Sequence, residues 1–365
     1  MMTMTDCASC ADERSAGAAF CEACGNALTE PLAPPEPAPP EPVPPASVAS
    51  VAPVTPVAGA CPNCGTPGSV GADGYCENCG MLAARPRDHL ETDLGAIAAG
   101  VTDRGLRHHR NEDAMWLTAR GPDVDVVVCD GVSSSFDPDV ASEAAVEAAG
   151  ASLAGDDDVL AAIVRATVAV AELAHSGDPR RAASNPACTI VAAVVRGADV
   201  TVGWVGDSRA YWLPTRGPAQ QLTEDDSWAT HAIALGADPE AALRDPKAHA
   251  ITAWLGADAG PVIPRTGEFT VTEAGHLVLC SDGLWNYLTD ASVFAGAVRA
   301  ALNDDAGLLD AARMLTDLAI AAGGADNITV ALIPVRPDGS PAAGTPAESA
   351  TESAVESAVE SAVKE

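Results

Sequence analysis

The sequence predicts an α+β domain, preceded by two small metal-held units and followed by an acidic tail. Three observations carry this. Eight of the 11 cysteines fall within residues 1–82, as four C-x2-C pairs. Between residues 94 and 336, strand-like segments come in runs and helix-like segments in pairs, which favours layered α+β packing over alternating βαβ units. Residues 337–365 are acidic and end in a repeat of ESAV, with too little apolar surface for a core. A chain of 365 residues allows two or three units, and 47% hydrophobic residues supply a full-sized core. Aromatics are only 4%, so that core must be mostly Ala, Val and Leu.

Residues 1–30 and 59–82 share one pattern. Cys7, Cys10, Cys21 and Cys24 form the first set, and Cys61, Cys64, Cys76 and Cys79 the second. Ten residues separate the pairs of the first set and eleven those of the second, a hairpin-length spacer in each. Two residues between thiolates let a tight turn aim both sulfurs at one ion, and Gly25, Gly65 and Gly80 directly after three of the pairs supply the backbone freedom such turns need. Four thiolates close a tetrahedral site, the structural zinc arrangement. Disulfides are the alternative, disfavoured in a reducing compartment; a redox C-x-x-C would need a βαβ context that is missing. Segments this short cannot build their own core, so metal would hold them folded. They resemble the two halves of a double zinc ribbon, which implies two structural Zn2+ ions. Neither half contains Lys, so the expected partner is a protein rather than a nucleic acid.

Charge points the same way. Lys and Arg number 20 against 51 Asp and Glu, a net charge of −31. That balance repels phosphate backbones and anionic membrane surfaces, so neither nucleic acid nor membrane is expected as a partner. No uninterrupted apolar stretch reaches the roughly 18 residues of a membrane span. Met1–Asp6 lacks the basic start and apolar run of a signal peptide, and a cytoplasmic location is expected.

Between the cysteine sets, residues 31–58 contain PPEPAPPEPVPP, an extended polyproline-like spacer. Residues 83–93 read as a connector. In the main domain the expected strands are Ala96–Thr102, Met115–Thr118, Val124–Asp130, Thr189–Val195, Val200–Val205, Leu277–Cys280 and Ile328–Pro334. The expected helices are Val140–Leu153, Val159–His175, Ala291–Leu302 and Leu308–Ala322. Cys129, Cys188 and Cys280 sit in apolar runs and read as core thiols.

Acidic motifs recur at the ends of these strands: Asn111-Glu112-Asp113, Asp130-Gly131, Gly206-Asp207-Ser208-Arg209, Asp282-Gly283 and Asp326-Asn327. A single Asp-Gly is most simply a hairpin turn. Carboxylates at the mouths of buried strands, however, lose hydration and need a compensating partner. Several together repel one another unless a divalent cation lies between them, and all-oxygen ligands select Mg2+ or Mn2+.

The ordered motifs DRGLRHHRNEDA, CDG, GDSRAYWL, LTEDDSW, CSDGLW and ADNITV resemble the metal-dependent protein phosphatases of the 2C type, and span Asp103 to Val330. The resemblance implies a four-layer αββα sandwich with two metals, and room for a third, in a channel at one end of the paired sheets. It implies that Asp130 bridges both metals, that Glu112 and the Gly131 carbonyl serve one, and that Asp282 and Asp326 serve the other. Asp207 matches the outer or third-metal carboxylate of bacterial members. Asp113 belongs with this metal set and, with Asn327, would orient the ligands. The implied reaction is hydrolysis of phosphoserine or phosphothreonine in proteins by a metal-bridged water, on substrates of a bacterial serine/threonine kinase pathway. Where the family places a phosphate-clamping Arg this chain has His108, with Arg107 and Arg110 beside it. His can donate to phosphate but lacks the bidentate fork. Val132 stands where some members carry a proton-donating His, and Ala187-Cys188-Thr189 replaces the usual Gly-Thr-Thr. None of these changes removes a metal ligand. Residues from Trp228 to Trp254 match the family's flap, where His231 and His249 read as solvent-facing or capping residues. The alternative to an active enzyme is a catalytically weak domain used as a binding module.

Overall fold

The computed structural model describes residues 61–340, apart from 62–63, 72–73, 82 and 303–306. Cys7, Cys10, Cys21, Cys24, the Pro-rich linker and the ESAV tail lie outside the described residues. In chain order the described strands are β1 (His89–Asp93), β2 (Ala99–Asp103), β3 (Ala114–Arg120), β4 (Asp123–Cys129), β5 (Ala187–Cys188), β6 (Ile190–Arg196), β7 (Asp199–Val205), β8 (Arg209–Pro214), β9 (Gln220–Gln221), β10 (Leu255–Gly256), β11 (Arg265–Thr270), β12 (Gly275–Cys280) and β13 (Ile328–Val335). The helices are α1 (Pro138–Ala154), α2 (Val159–Leu173), α3 (Pro179–Ala183), α4 (Trp228–Ala234), α5 (Pro239–Leu243), α6 (Asp282–Trp285), α7 (Ala291–Ala301) and α8 (Leu308–Ala321).

Two antiparallel sheets form the centre. One runs β1-β2-β13-β12-β8-β9, the other β11-β7-β6-β4-β3. Side-chain alternation along each strand builds the layers. In β4, Val126 and Val128 fill the space between the sheets, while Val127 and Cys129 pack with residues of α1 and α2. In β12, Leu277 and Leu279 point between the sheets, while Val278 and Cys280 meet α7 and α8. Both faces of both sheets are covered, so these strands read as unbroken apolar runs. The result is the αββα sandwich. Cys129, Cys188 and Cys280 are buried in it, as expected.

Helix starts follow local chemistry. Asp158 accepts from the Ala161 amide to open α2, and Asp290 accepts from the Ser292 and Val293 amides to open α7. The four long helices match their expected spans within two residues at each end. The strands beyond expectation are mainly polar or motif-bearing. β1 (HLETD) is an edge strand with exposed side chains, so the six-stranded sheet starts at His89, inside the segment read as a connector. β11 (RTGEFT) is likewise a largely exposed edge, and β8 lies inside the GDSRAYWL motif. The flap folds as α4 and α5 around Ala229, Ala242 and Ala248. No helix among the described residues is long and apolar enough to cross a membrane.

Candidate active site and zinc centre

β4, β7 and β12 end, and β13 begins, around one cleft of about 170 Å3. Register explains the convergence. Cys280, the last residue of β12, pairs with Val330 near the start of β13 and with Arg209 at the start of β8. Asp282 and Asp326 are thereby neighbours. Asp207 sits where the chain crosses from β7 in one sheet to β8 in the other. That crossing requires Gly206, whose φ is +104° and whose missing side chain would lie 2.6 Å from Thr189. Asp130, Gly131, Asp207, Asp282 and Asp326 line the cleft with Ser133, Thr189 and the flap residues His249 and Ile251.

Behind the cleft a polar network holds the acidic loops. Asn327 accepts from the Glu112 amide at 2.7 Å and donates to the carbonyls of Arg104 (2.7 Å) and Arg110 (3.0 Å), fixing the loop that carries His108 and Glu112. Gly105 and Gly283 flank the Asp326–Asn327 segment. A Cβ on Gly105 would lie 2.2 Å from the Asp326 carbonyl, and one on Gly283 1.9 Å from the Asn327 carbonyl. Asp113 is fully enclosed and accepts from Ser281 and Thr329 through one oxygen, each at 2.7 Å. His108 joins two acids, with Nε2 3.1 Å from Asp326 Oδ1 and Nδ1 3.7 Å from Glu112 Oε2. Glu112 also accepts from Ser133 at 2.7 Å.

The electrostatics suit a bound cation. Burial pushes Asp130 well above the usual carboxylate range, and Asp113, Asp282, Asp326 and Asp207 around it add to the effect. Burial also raises Asp113 to about 7 and Asp282 to about 6. Asp207 and Asp326 move in the same direction for the same first reason, with His108 opposing the rise at Asp326. His108 is raised by its bond to Glu112 against its burial, with Asp326 assisting. Two buried oxygens, Asp113 Oδ1 and Asp282 Oδ1, have no hydrogen-bond partner among the described residues. Crowded carboxylates with unsatisfied oxygens fit hard divalent cations.

The sequence model described as Protein phosphatase 2C matches residues 106–318, more than half of the chain. The chain belongs to the protein phosphatase 2C family. The serine/threonine phosphatase stp of Listeria monocytogenes is 29% identical over 241 residues, covering 64% of this chain and 93% of that protein. The Mycobacterium tuberculosis serine/threonine protein phosphatase PstP is 28% identical over 243 residues, 65% of this chain and 44% of that protein. Among solved structures, Stp1 from Staphylococcus aureus matches with a TM-score of 0.57 at 25% identity, covering 66% of this chain and 94% of that one. The catalytic domain of PstP with two manganese ions matches at 0.53 and 27% identity, covering 65% and 97%.

Within this 2C-type domain the sequence-predicted residues divide into three places. Asp130, Gly131, Asp207, Asp282 and Asp326 line the cleft, and His108 and Glu112 border it. Asp113 lies behind it rather than in it. Arg110 is held by the Ala83 carbonyl and Asp88, so its guanidinium braces the start of the domain. Arg107 has no side-chain partner among the described residues. His249, read as a solvent-facing or capping residue, is exposed as expected, and it also lines the cleft, its ring 5.8 Å from that of Trp285. No local motif marks it, because its position depends on how the flap folds back. His231 lies on α4.

The second cysteine set forms a site of its own. Cys61, Cys64, Cys76 and Cys79 place their sulfurs within 4.8 Å of one another. Cys61–Cys79 and Cys64–Cys76 are 3.8 and 3.6 Å apart. A tetrahedron with Zn–S bonds of ~2.3 Å has edges of ~3.8 Å. Hydrogen bonds from Thr66 pull Cys64 down to about 5. At Cys79 the Met81 amide pulls down, but burial and the other thiols prevail and hold it at about 12. Four sulfurs this close fit a single cation among them. A family model described as Double zinc ribbon matches residues 7–80.

Proposed function

We propose that the protein removes phosphate from phosphoserine and phosphothreonine in proteins, using two Mn2+ or Mg2+ ions held by Asp130, Glu112, the Gly131 carbonyl, Asp282 and Asp326. The observation that carries this is the convergence of Asp130, Asp207, Asp282 and Asp326 on one open cleft. When bound, the ions supply Lewis acidity toward the phosphoryl oxygens and a water of lowered pKa. The chain's residues do the rest. Asp130 sits centrally among the acids, and Asp207 serves an outer or third ion. Asn327 and Asp113 hold the ligand loops rigid. His108, steadied between Glu112 and Asp326, donates to a phosphate oxygen in place of an arginine. Val132 carries no proton for the leaving oxygen, so His249 and His108 are the side-chain donors beside it.

In this reading the phosphatase domain covers residues 94–336 together with β1, and residues 337–365 form an acidic tail. The zinc ribbons recruit a protein partner or substrate. The substrates belong to a bacterial serine/threonine kinase pathway, and the location is cytoplasmic. The test is phosphate release from a phosphothreonine peptide by the zinc-loaded chain with added Mn2+. Turnover that depends on Mn2+ and is lost in Asp282→Asn supports the assignment. A folded, zinc-loaded sample that turns over with neither Mn2+ nor Mg2+ refutes it and favours a binding module.

A further inference from the structure

We propose that the recess between the second ribbon and the catalytic domain is a second anion site, which holds an acidic or phosphorylated side chain flanking the substrate's target residue. This rests on the phosphatase reading and extends it to substrate choice. The recess has a volume of about 360 Å3. Gly80 and Met81 wall it on the ribbon side, and Arg104, Leu106, Arg107 and His109 on the other. Arg120, Arg196, Arg209 and Arg313 pair with Asp156, Asp125, Asp225 and Glu91, whereas Arg165, Arg216 and Arg336, which do not line this recess, have no ion pair among the described residues. Arg104, Arg107 and His109 have no side-chain partner among the described residues. Two arginines, which cannot lose their charge, line one recess with no acidic residue among its described lining, and this favours an anion there. Met81 and Leu106 add apolar surface there, at 56% and 65% exposed, which suits the flanking aliphatic part of a peptide.

The position relates the recess to the chemistry. His108 lines it and also reaches Asp326, which lines the carboxylate cleft. The two sites are therefore separated by one side chain, and a short stretch of extended peptide spans them. The favoured ligand is a phosphopeptide with Glu, Asp or a second phosphoresidue beside its target.

The test compares phosphothreonine peptides flanked by Glu or by Ala, using the full zinc-loaded chain with Mn2+, wild type and Arg104→Gln/His109→Gln. The wild type should show a KM about tenfold lower for the Glu-flanked peptide, the effect of one charge-assisted contact. The variant should lose that preference while hydrolysing p-nitrophenyl phosphate like wild type. Equal KM values in the wild type, or a preference that survives both substitutions, would overturn the proposal. If p-nitrophenyl phosphate is not hydrolysed, the phosphatase reading is what has failed. Fluorescence anisotropy of the same labelled peptides then decides the anion site: tighter binding of the Glu-flanked peptide that the variant loses supports it, and equal binding overturns it. A chain ending at residue 340 should bind that peptide as the full chain does. Clearly tighter binding by the shortened chain would assign the recess to the acidic tail and overturn the substrate assignment.

Discussion

Asp113 has one carboxylate oxygen shared by Ser281 and Thr329 and another with no partner among the described residues. Its effect on metal therefore passes through Ser281, the residue before Asp282. Substituting Ser281→Ala should weaken Mn2+ binding by roughly 10–100-fold, as for other outer partners of metal ligands. Isothermal titration against Mn2+ would measure it, and unchanged affinity would refute that role. A pH effect follows from the same acids. Asp113 is pushed to about 7 and Asp282 to about 6, both well above an ordinary Asp near ~4. A carboxyl with a raised folded pKa binds more protons folded than unfolded across that interval, so stability falls as pH rises from ~4 to ~7. Zinc-loaded protein without Mn2+ should thus melt lower at neutral pH than in mild acid. Added Mn2+ should stabilise it most at neutral pH, with Tm as the readout. At this scale the acidic residues that gather at the cleft were legible because they lie at the ends of apolar strands. His249 was not, because only the folded flap brings it to the cleft.

The loops that border the cleft depend on close backbone contact. Gly283 opens α6 against the Asn327 carbonyl, where a Cβ would stand 1.9 Å away, and that oxygen is rigid backbone. Gly283→Ala should destabilise the domain by roughly 1–3 kcal/mol, the usual cost of overpacking, and weaken Mn2+ binding. Chemical denaturation checks the first effect and titration the second. Strands buried on both faces were legible as apolar runs, and helices through period and caps. Edge strands β1 and β11 were not, since a strand with one sheet neighbour and exposed side chains carries no apolar signature. The 2C-type layering came from the order of the motifs, because apolar runs alone do not say which sheet a strand joins.

At the scale of the molecule, the described residues offer two candidate metal sites of different chemistry. The thiolate site holds a segment without a core of its own, whereas the carboxylate site sits on a sandwich with three buried clusters. Cys76→Ser should therefore abolish zinc retention in the second ribbon yet leave p-nitrophenyl phosphate turnover within about a few-fold of wild type. Zinc content by mass spectrometry and Mn2+-dependent turnover would test the two halves. Loss of both would show that the ribbon supports the catalytic fold.

The place of β13 has a consequence in time. It is the last strand in the chain but lies in the middle of its sheet, between β2 and β12, with Asp326 two residues before it. During synthesis the ribbons, both helices of the first layer and most strands leave the ribosome before it. Until β13 inserts, the six-stranded sheet is split into two separate parts and the carboxylate cleft lacks one wall. A growing chain thus stays without activity until nearly the whole domain has emerged, and catalytic competence arrives in a single late step.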